Sequence, residues 1–326
     1  MISPKIIILV AVLAGGMAYA QPGSWHRLEE TKPRLGTLVR IVLYTPDSVA
    51  GRLALQTAFA EIDRLNAIIS DYDPQSELSL LNANPDRDTL KVSSDLMEVL
   101  VAAQSIYRNS GGAFDPSIKP CVDYWRTLRR SGKPLRPSHL KRQLQKVGYG
   151  ALYLDDVRNR LYRGKKGMQL DLGGIGKGFI GDRVIELLAR MGIQRALIDL
   201  GGDLVAGKAP PGTPGWPIQF PPRPDCRLLL HDQALAGSGS TYQYIERHGV
   251  RYSHIIDPRS GLGIARPTLA FVLAPNGRMA DGWASALTVL GKADGIDQKA
   301  VVWYLADGEQ SLASPEFNRY LHCQNE

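Results

Sequence analysis

The sequence predicts an α+β fold of mainly antiparallel sheets with flanking helices. Its 326 residues are 44% hydrophobic and 22% charged, an ordinary globular composition with enough length to bury a large core. The predicted strands and helices do not alternate regularly, which argues against a parallel α/β sheet. From Arg195 onward, short strands broken by Gly and Pro dominate, as is typical of antiparallel connections.

The N-terminus, residues 1–20, has the pattern of a secretory signal peptide. Lys5 supplies the positive charge, Ile6–Ala14 is apolar, and Ala18–Ala20 gives a small-x-small cleavage pattern before Gln21. The apolar run is shorter than the roughly 20 residues of a membrane span, although an uncleaved anchor stays open. No Cys lies near the cleavage point, so the signal is not of the lipoprotein kind. We expect a periplasmic protein with a single domain over residues 21–326.

The N-terminal part of that domain shows clear element boundaries. Gly36–Thr45 alternates with β-branched residues and predicts a strand. A helix follows, with Asp47 or Ser48 as its N-cap and apolar residues at helical spacing to Ile69. Asp71–Asn84 is expected to be a polar connection. Ser93 should cap a further helix that runs to about Asn109 and ends at the glycines that follow.

In the middle and the C-terminal part of the sequence, the patterns that predict helices and strands are less regular. Residues 118–148 look helical and basic, with prolines dividing them into two helices. The proline-rich stretch Pro210–Pro224 predicts a surface loop or a sheet edge. The remaining predicted elements are strands at Ala151–Leu154, Met168–Asp171 and Val301–Leu305, and helices at Ile175–Met191 and Met279–Leu290.

Charge and cysteine content exclude two classes of function. The net charge of +7 comes from basic residues that form no continuous stripe, so no nucleic-acid partner is expected. Cys121, Cys226 and Cys323 lie far apart with no Cys/His grouping, which argues against a structural zinc site. In an oxidising compartment two of them can pair, and the sequence leaves the pairing open.

The most informative stretch is DLGGIGKGFIGD, Asp171–Asp182, between a predicted strand and a predicted helix. Its glycines allow close backbone approach and present N–H groups at a helix N-terminus, where phosphate binds well. A tight turn with close helix packing is the plainer alternative. A dinucleotide-binding Rossmann turn is a third, with Asp199 as its acidic residue. Asp171 argues against it, because a carboxylate facing a pyrophosphate requires a bridging cation such as Mg²⁺.

Two further groups of residues offer oxygen ligands and an imidazole side chain. Asp281 and Ser285 are four residues apart in ADGWASAL and share one face of the predicted helix, where both can bind one metal ion. A helix cap or a solvated face is the common alternative for such a pair. His254 and Asp257 in HIIDPRSG adjoin a turn, and a histidine there can act as a general base or simply form ordinary hydrogen bonds.

Taken in order, DYDPQSELSLLN, GGAFDPSI, DLGGIGKG, SHIIDPRSG and ADGWASAL resemble the motifs of the ApbE family of FAD:protein FMN transferases. The resemblance spans roughly Leu35 to Leu290. It implies an α+β fold of two intertwined halves, and a magnesium-dependent enzyme that splits FAD, transfers FMN to a Ser or Thr hydroxyl of a target protein and releases AMP. The implied cofactor is Mg²⁺, with FAD as substrate, and the implied partner is an exported redox flavoprotein. Contact with a membrane is expected only through an uncleaved signal anchor or a membrane-bound target.

The resemblance also assigns roles to individual residues. His254 or Asp257 is the implied general base, and Ser285 stands where Thr is usual. The segment Ala236–Tyr244 is looser than the family pattern, which keeps an FAD-storage protein open as an alternative; a magnesium-dependent FAD pyrophosphatase is another. The implied flavin-nucleotide contacts are Leu35, Tyr72, Ala113, Phe114, Asp115, Asp171, Lys177 and Ile255, and the implied metal ligands are Gly174, Asp281 and Ser285.

Overall fold

The structure, a computed structural model, describes residues 25–85, 89–240, 244–247, 249–292, 302–307 and 310–323. The signal peptide predicted at residues 1–20 lies outside the described residues. Within them, no helix is both long and apolar enough to span a bilayer. The helices are α1 (Ser48–Ile69), α2 (Glu77–Asn82), α3 (Ser94–Asn109), α4 (Lys119–Ser131), α5 (Pro137–Leu144), α6 (Gly176–Arg190) and α7 (Gly277–Leu290).

The strands are short and concentrate in the C-terminal half. They are β1 (His26–Arg34), β2 (Thr37–Thr45), β3 (Thr89–Lys91), β4 (Leu152–Asp155), β5 (Arg160–Arg163), β6 (Arg195–Leu200), β7 (Leu204–Ala206), β8 (Trp216–Gln219), β9 (Cys226–Leu230), β10 (Gln233–Gly239), β11 (Tyr244–Arg247), β12 (Val250–Ser253), β13 (Thr268–Ala274), β14 (Val302–Asp307), β15 (Gln310–Ala313) and β16 (Leu321–Cys323).

An eight-stranded sheet in the order β1-β2-β6-β7-β10-β13-β14-β15 forms the centre of the molecule. Each neighbouring pair in it is antiparallel. The predicted α+β class with antiparallel sheets is therefore confirmed. Strands from both ends of the sequence belong to this sheet, since β1 and β2 lie at one edge and β14 and β15 at the other.

Alternation along the strands covers both faces of this sheet with apolar side chains. In β2, Ile41 and Leu43 pack into the large core under α1, α3, α6 and α7, whereas Val42 between them faces the other way. The opposite face is covered by the small sheet β16-β9-β8. Trp216 of β8 and Phe220, the residue directly after β8, are fully buried. The result is a layer of helices, a central sheet and a second, smaller sheet.

Most predicted helix boundaries are confirmed, because the capping residues behave as expected. Asp47 accepts hydrogen bonds from the N–H groups of Val49 and Ala50 and caps α1. Ser93 accepts from the N–H of Leu96 and caps α3. Helix α7 begins two residues earlier than predicted, where Asn276 supplies the cap.

The strand predicted at Met168–Asp171 is wrong. Only an isolated bridge between Ile118 and Gln169 forms there. The amide of Asn82 instead bonds both backbone groups of Leu170, donating to its carbonyl at 2.7 Å and accepting from its N–H at 2.7 Å. A side chain has thus taken the place of a neighbouring strand.

The smaller sheet decides two questions that the sequence left open, the form of the proline-rich stretch and the pairing of the cysteines. The proline-rich stretch contains β8 at the edge of that sheet, so the edge alternative is confirmed. Cys226 and Cys323 occupy directly opposite positions of β9 and β16 and form a disulfide. Cys121 is a buried free thiol, and burial raises its pKa to about 11.

Candidate active site

A cavity of about 1080 Å³ opens between the start of α6, the C-terminal half of the central sheet and the segment that contains Ile255. Its walls come from the hairpin turn at Leu35, the loop at Ala113, the glycine loop before α6, and α7. The sequence separates these segments by up to 250 residues, and the antiparallel sheet brings them together. The cavity exceeds the usual size of a small-molecule site and suits an extended ligand.

The glycines of the loop fall into two groups. Gly173, Gly174 and Gly176 line the cavity, as expected for a ligand-binding loop at a helix N-terminus. Gly178 instead packs against Gly277 of α7, where an added Cβ would lie 2.0 Å from the Gly277 carbonyl oxygen. Close helix packing is therefore confirmed for Gly178, and the glycines that line the cavity lie where the ligand-approach interpretation predicts them.

Asp281 and Ser285 lie on one turn of α7 and both line the cavity. Asp281 is buried, and one of its oxygens accepts a hydrogen bond from the Gly178 N–H at 3.0 Å. Ser285 lies against the glycine loop, since a Cβ on Gly174 would be 2.8 Å from the Ser285 hydroxyl oxygen. The predicted metal ligands are therefore neighbours, and Asn276, not Asp281, caps the helix.

The ammonium group of Lys177 forms an ion pair with Asp203. Burial alone would lower the pKa of Lys177, but Asp203 and Asp281 hold it above its usual value. Burial and then the charge of Asp203 raise the pKa of Asp281 to about 7, against the opposing effect of Lys177. Lys177 is thus a fixed cation beside two buried carboxylates.

The negative charge of Asp171 is compensated by an arginine that was not among the predicted site residues. One oxygen of Asp171 accepts from the Gly173 N–H at 2.8 Å, and the other lies 3.7 Å from the Arg126 guanidinium. Burial, and secondly the charge of Asp71, raise the pKa of Asp171, while Arg126 lowers it. Arg126 also pairs with Asp71 at 2.5 Å. This wall of the cavity carries its own cation.

Tyr72 stands at the mouth of the cavity with 79% of its surface exposed. Arg126 lies over its ring at 4.5 Å from the centroid and donates to its hydroxyl at 3.0 Å. The ring is held in place by a cation–π contact, and most of its surface remains available to a ligand.

Leu35 occupies a strained turn. The hairpin between β1 and β2 has a two-residue loop, Leu35 and Gly36, with φ of 54° and 71°. Positive φ at both positions is the type I′ arrangement, in which a leucine is rare. Leu35 lines the cavity, so a strained backbone directs an apolar side chain to the predicted flavin pocket.

Ala113, Phe114 and Asp115 also line the cavity. Phe114 is buried beside the glycine loop, 3.2 Å from the position of a Cβ on Gly174. The Asp115 carboxylate accepts from the N–H and the hydroxyl of Ser117 and from the Tyr149 N–H. Its first role in the structure is therefore to shape the loop that presents Ala113 and Phe114.

The structure separates the two predicted bases. His254 is exposed and lines the cavity together with Ile255. Asp257 makes two ion-pair hydrogen bonds with Arg259, at 2.9 and 2.8 Å. Burial alone would raise the pKa of Asp257, but these bonds hold it below its usual value. Of the two, only His254 is among the residues that line the cavity.

Sequence reasoning missed Asp203 and Arg126 as site residues. Both line the cavity and carry charges that neutralise Lys177 and Asp171. Asp203 follows two glycines with positive φ at the turn after β6, and this glycine pair was the available signal. Asp199, the acidic residue of the Rossmann alternative, accepts from the N–H groups of that glycine pair and shapes the turn.

Comparison with known proteins is decisive at the level of the family. Residues 35–300 match the pattern of the ApbE family. The chain belongs to the ApbE family. A FAD:protein FMN transferase of Haemophilus influenzae is 32% identical over 247 residues, covering 72% of this chain and 71% of the relative. One of Treponema pallidum is 28% identical over 309 residues, covering 88% and 85%.

Solved ApbE structures share the fold. The flavinyl transferase ApbE of Pseudomonas stutzeri, in its apo form, has a TM-score of 0.81 at 23% identity and covers 92% of this chain and 98% of its own. The ApbE protein of Thermotoga maritima has a TM-score of 0.81 at 24% identity, with 90% and 99% covered. The ApbE fold is therefore the frame in which the cavity residues act.

Proposed function

We propose that this ApbE-family chain is a FAD:protein FMN transferase that moves FMN from FAD to a Ser or Thr hydroxyl of another protein and releases AMP. One observation carries the proposal: a helix N-terminus, the cation Lys177 and the oxygen pair of Asp281 and Ser285 meet in one large cavity. The curated FAD:protein FMN transferases, to which most of the chain is similar, support it.

Different parts of the cavity suit the different chemical groups of FAD. Phe114, Ile255 and the exposed ring of Tyr72 supply apolar and aromatic surface for a flavin ring. The glycine loop and Lys177 supply N–H groups and a positive charge for a pyrophosphate. A volume of about 1080 Å³ accommodates a dinucleotide.

The residues at the polar end fit a magnesium ion. A buried carboxylate, a hydroxyl and a backbone carbonyl are hard oxygen donors of the kind Mg²⁺ prefers, and Asp281, Ser285 and Gly174 provide them. A bound Mg²⁺ would withdraw negative charge from the pyrophosphate oxygens.

Each step of the reaction can be assigned to residues of the chain. The acceptor oxygen bonds to the phosphorus on the FMN side, the bond from that phosphorus to the bridging oxygen breaks, and AMP leaves with that oxygen. His254 takes the hydroxyl proton, because it faces the cavity whereas Asp257 is held by Arg259. Lys177 stabilises the charge that develops on the departing phosphate.

Export to the periplasm is part of the proposal. The N-terminal signal-peptide pattern and the Cys226–Cys323 disulfide support it, because disulfides persist in oxidising compartments. The acceptor is then an exported redox flavoprotein with a Ser/Thr flavinylation site.

The test is to incubate the purified protein with FAD and Mg²⁺, with and without a small exported acceptor, and to weigh the acceptor by intact mass spectrometry. We expect a gain of one FMN that requires Mg²⁺ and is lost in Asp281→Ala. Asp156→Ala removes an exposed carboxylate that does not line the cavity and should leave the gain unchanged.

The same samples discriminate the two alternatives. Free FMN released equally with and without acceptor would indicate a magnesium-dependent FAD pyrophosphatase. FAD that stays bound with no AMP release would indicate a storage protein, and either result would refute the transferase.

A further inference from the structure

Helices α4 and α5 carry a charge pattern that the proposed reaction does not use. Between Asp123 and Asp155 the chain has eight Lys or Arg residues and no Asp or Glu. We call the exposed members of this group the basic hairpin face; they are Arg129, Arg130, Lys133, Arg136, Lys141 and Arg142.

The basic hairpin face begins at the mouth of the cavity. Arg129 lines the cavity, as does Arg126 one turn earlier on α4. Arg126 lies over the ring of Tyr72, at 4.5 Å from its centroid. The face therefore extends outward from the opening through which an acceptor hydroxyl must reach the bound flavin nucleotide.

The two helices have a rigid base. Trp125 and Leu128 of α4 and Leu140 of α5 pack together in a separate small core. The Trp125 indole donates to the Gly261 carbonyl at 2.8 Å, in the turn that follows His254 and Asp257. The position of the basic side chains relative to the site is thus fixed by packing.

The ion pairs of the described residues leave part of the positive charge of the face uncompensated. Asp123 at the start of the segment pairs with Lys119 and Arg126, on the cavity side. Glu246 of the adjacent strand β11 pairs with Arg251. Among the described residues, Arg130, Lys133 and Arg136 have no ion-pair partner. The face therefore presents a positive potential at the cavity mouth.

We propose that the basic hairpin face binds an acidic segment of the acceptor protein and so guides its hydroxyl to the cavity. The inference rests on the proposed transfer reaction and names the chemistry of its protein substrate. Charge complementarity and continuity with the cavity mouth argue for this occupant. An anionic membrane is less suited, because the apolar sides of α4 and α5 are buried and leave nothing to insert among lipids.

The test uses two labelled peptides with the same Thr-containing centre, one flanked by Glu and the other by Gln. Fluorescence anisotropy measures their binding to the wild type and to Arg130→Glu/Lys133→Glu/Arg136→Glu. The matched control, Arg52→Glu/Lys91→Glu/Arg190→Glu, makes the same charge change at exposed residues that do not line the cavity. FAD binding is measured separately by flavin fluorescence in all three proteins.

We expect the Glu-flanked peptide to bind more tightly than the Gln-flanked one, and salt to weaken that binding. The hairpin variant should lose about tenfold in affinity, since three weak exposed pairs act together, and the control should lose little. FAD binding should stay equal in all three.

Equal binding of the two peptides, or an equal loss in the control variant, would overturn the proposal. So would phosphatidylglycerol vesicles that bind through the hairpin while the Glu-flanked peptide does not. A protein that binds no FAD but keeps hairpin-dependent binding of the Glu-flanked peptide would refute the proposed function and support the docking surface.

Discussion

The ammonium group of Lys177 has two buried carboxylates near it, and it pairs with Asp203. Asp203 is anchored by a second contact, since its other oxygen accepts from the Gly237 N–H at 3.1 Å. This arrangement holds the Lys177 ammonium beside Asp203, so that the carboxylate of Asp281 stays available for the proposed Mg²⁺. Asp203 is therefore a positioning residue.

We predict that Asp203→Asn weakens Mg²⁺ binding in the absence of FAD. The asparagine keeps an oxygen for the Gly237 N–H but carries no negative charge to attract Lys177. The Lys177 ammonium then pairs with Asp281 instead and competes with Mg²⁺ for that carboxylate. A loss of about tenfold corresponds to about 1.4 kcal/mol and is measurable by titration calorimetry.

The double variant Asp203→Asn/Lys177→Met provides the control. Removal of the competing ammonium should restore Mg²⁺ affinity without restoring transfer. Unchanged Mg²⁺ affinity in the folded single variant would show that Asp203 does not have this role.

At this scale, the sequence predicted the residues whose type is distinctive. The glycine loop, Asp281 and Ser285 are residue types that suit phosphate and Mg²⁺, and the structure brings them together in the cavity. Arg126 and Asp203 could not be predicted, because an arginine in a basic helix and an aspartate in a turn have many ordinary roles. The partner that identifies each lies far away in the sequence, at Asp171 and Lys177.

At the scale of elements, the approach of α6 to α7 places the glycine loop beside Asp281 and Ser285. Gly178 and Gly277 make this possible, because a Cβ on either would lie within 2.4 Å of the other's carbonyl oxygen. Since these are backbone contacts, neither helix can yield by changing a rotamer.

We predict that Gly178→Ala destabilises the fold by about 3 kcal/mol, the upper end of the range for overpacking. The gain of about 1 kcal/mol in helix propensity does not offset the overlap. Urea unfolding followed by circular dichroism measures the loss.

Gly176→Ala is the matched control two residues earlier. Its new Cβ meets only the end of the Ile69 side chain at 3.0 Å, which can move aside. Equal stability of the two variants would contradict the packing role of Gly178.

Helices α1 and α3 were predicted well because their start signals are local, as Asp47 and Ser93 show. The short helix α2 was missed, because it lies inside the segment predicted to be a polar connection. The failure at Met168–Asp171 has the opposite cause. The Asn82 amide that occupies its backbone groups comes from a helix 88 residues earlier in the chain. No local pattern reports such a contact.

At the scale of the whole molecule, the disulfide ties the C-terminal strand β16 to the small sheet. Cys226 and Cys323 are 97 residues apart, so the bond restricts a long loop of the unfolded chain. Through β8 and β9, that sheet covers one face of the central sheet that carries the site.

We predict that Cys226→Ser/Cys323→Ser lowers the free energy of unfolding by about 4.7 kcal/mol, as loop entropy gives for a separation of this size. Thermal unfolding with and without reductant checks this. Reductant should bring the wild type to the level of the variant and leave the variant unchanged. A variant as stable as the oxidised wild type would show that the bond is not a significant constraint.

The wide separation of the cavity residues along the sequence also determines when a flavin can be acquired. The cavity needs Leu35 from the hairpin near the N-terminus and Ser285 from α7, close to the other end. A nascent chain that lacks α7 has no complete binding site, so loading cannot begin during synthesis. A chain that crosses a membrane unfolded must therefore meet its FAD on the far side.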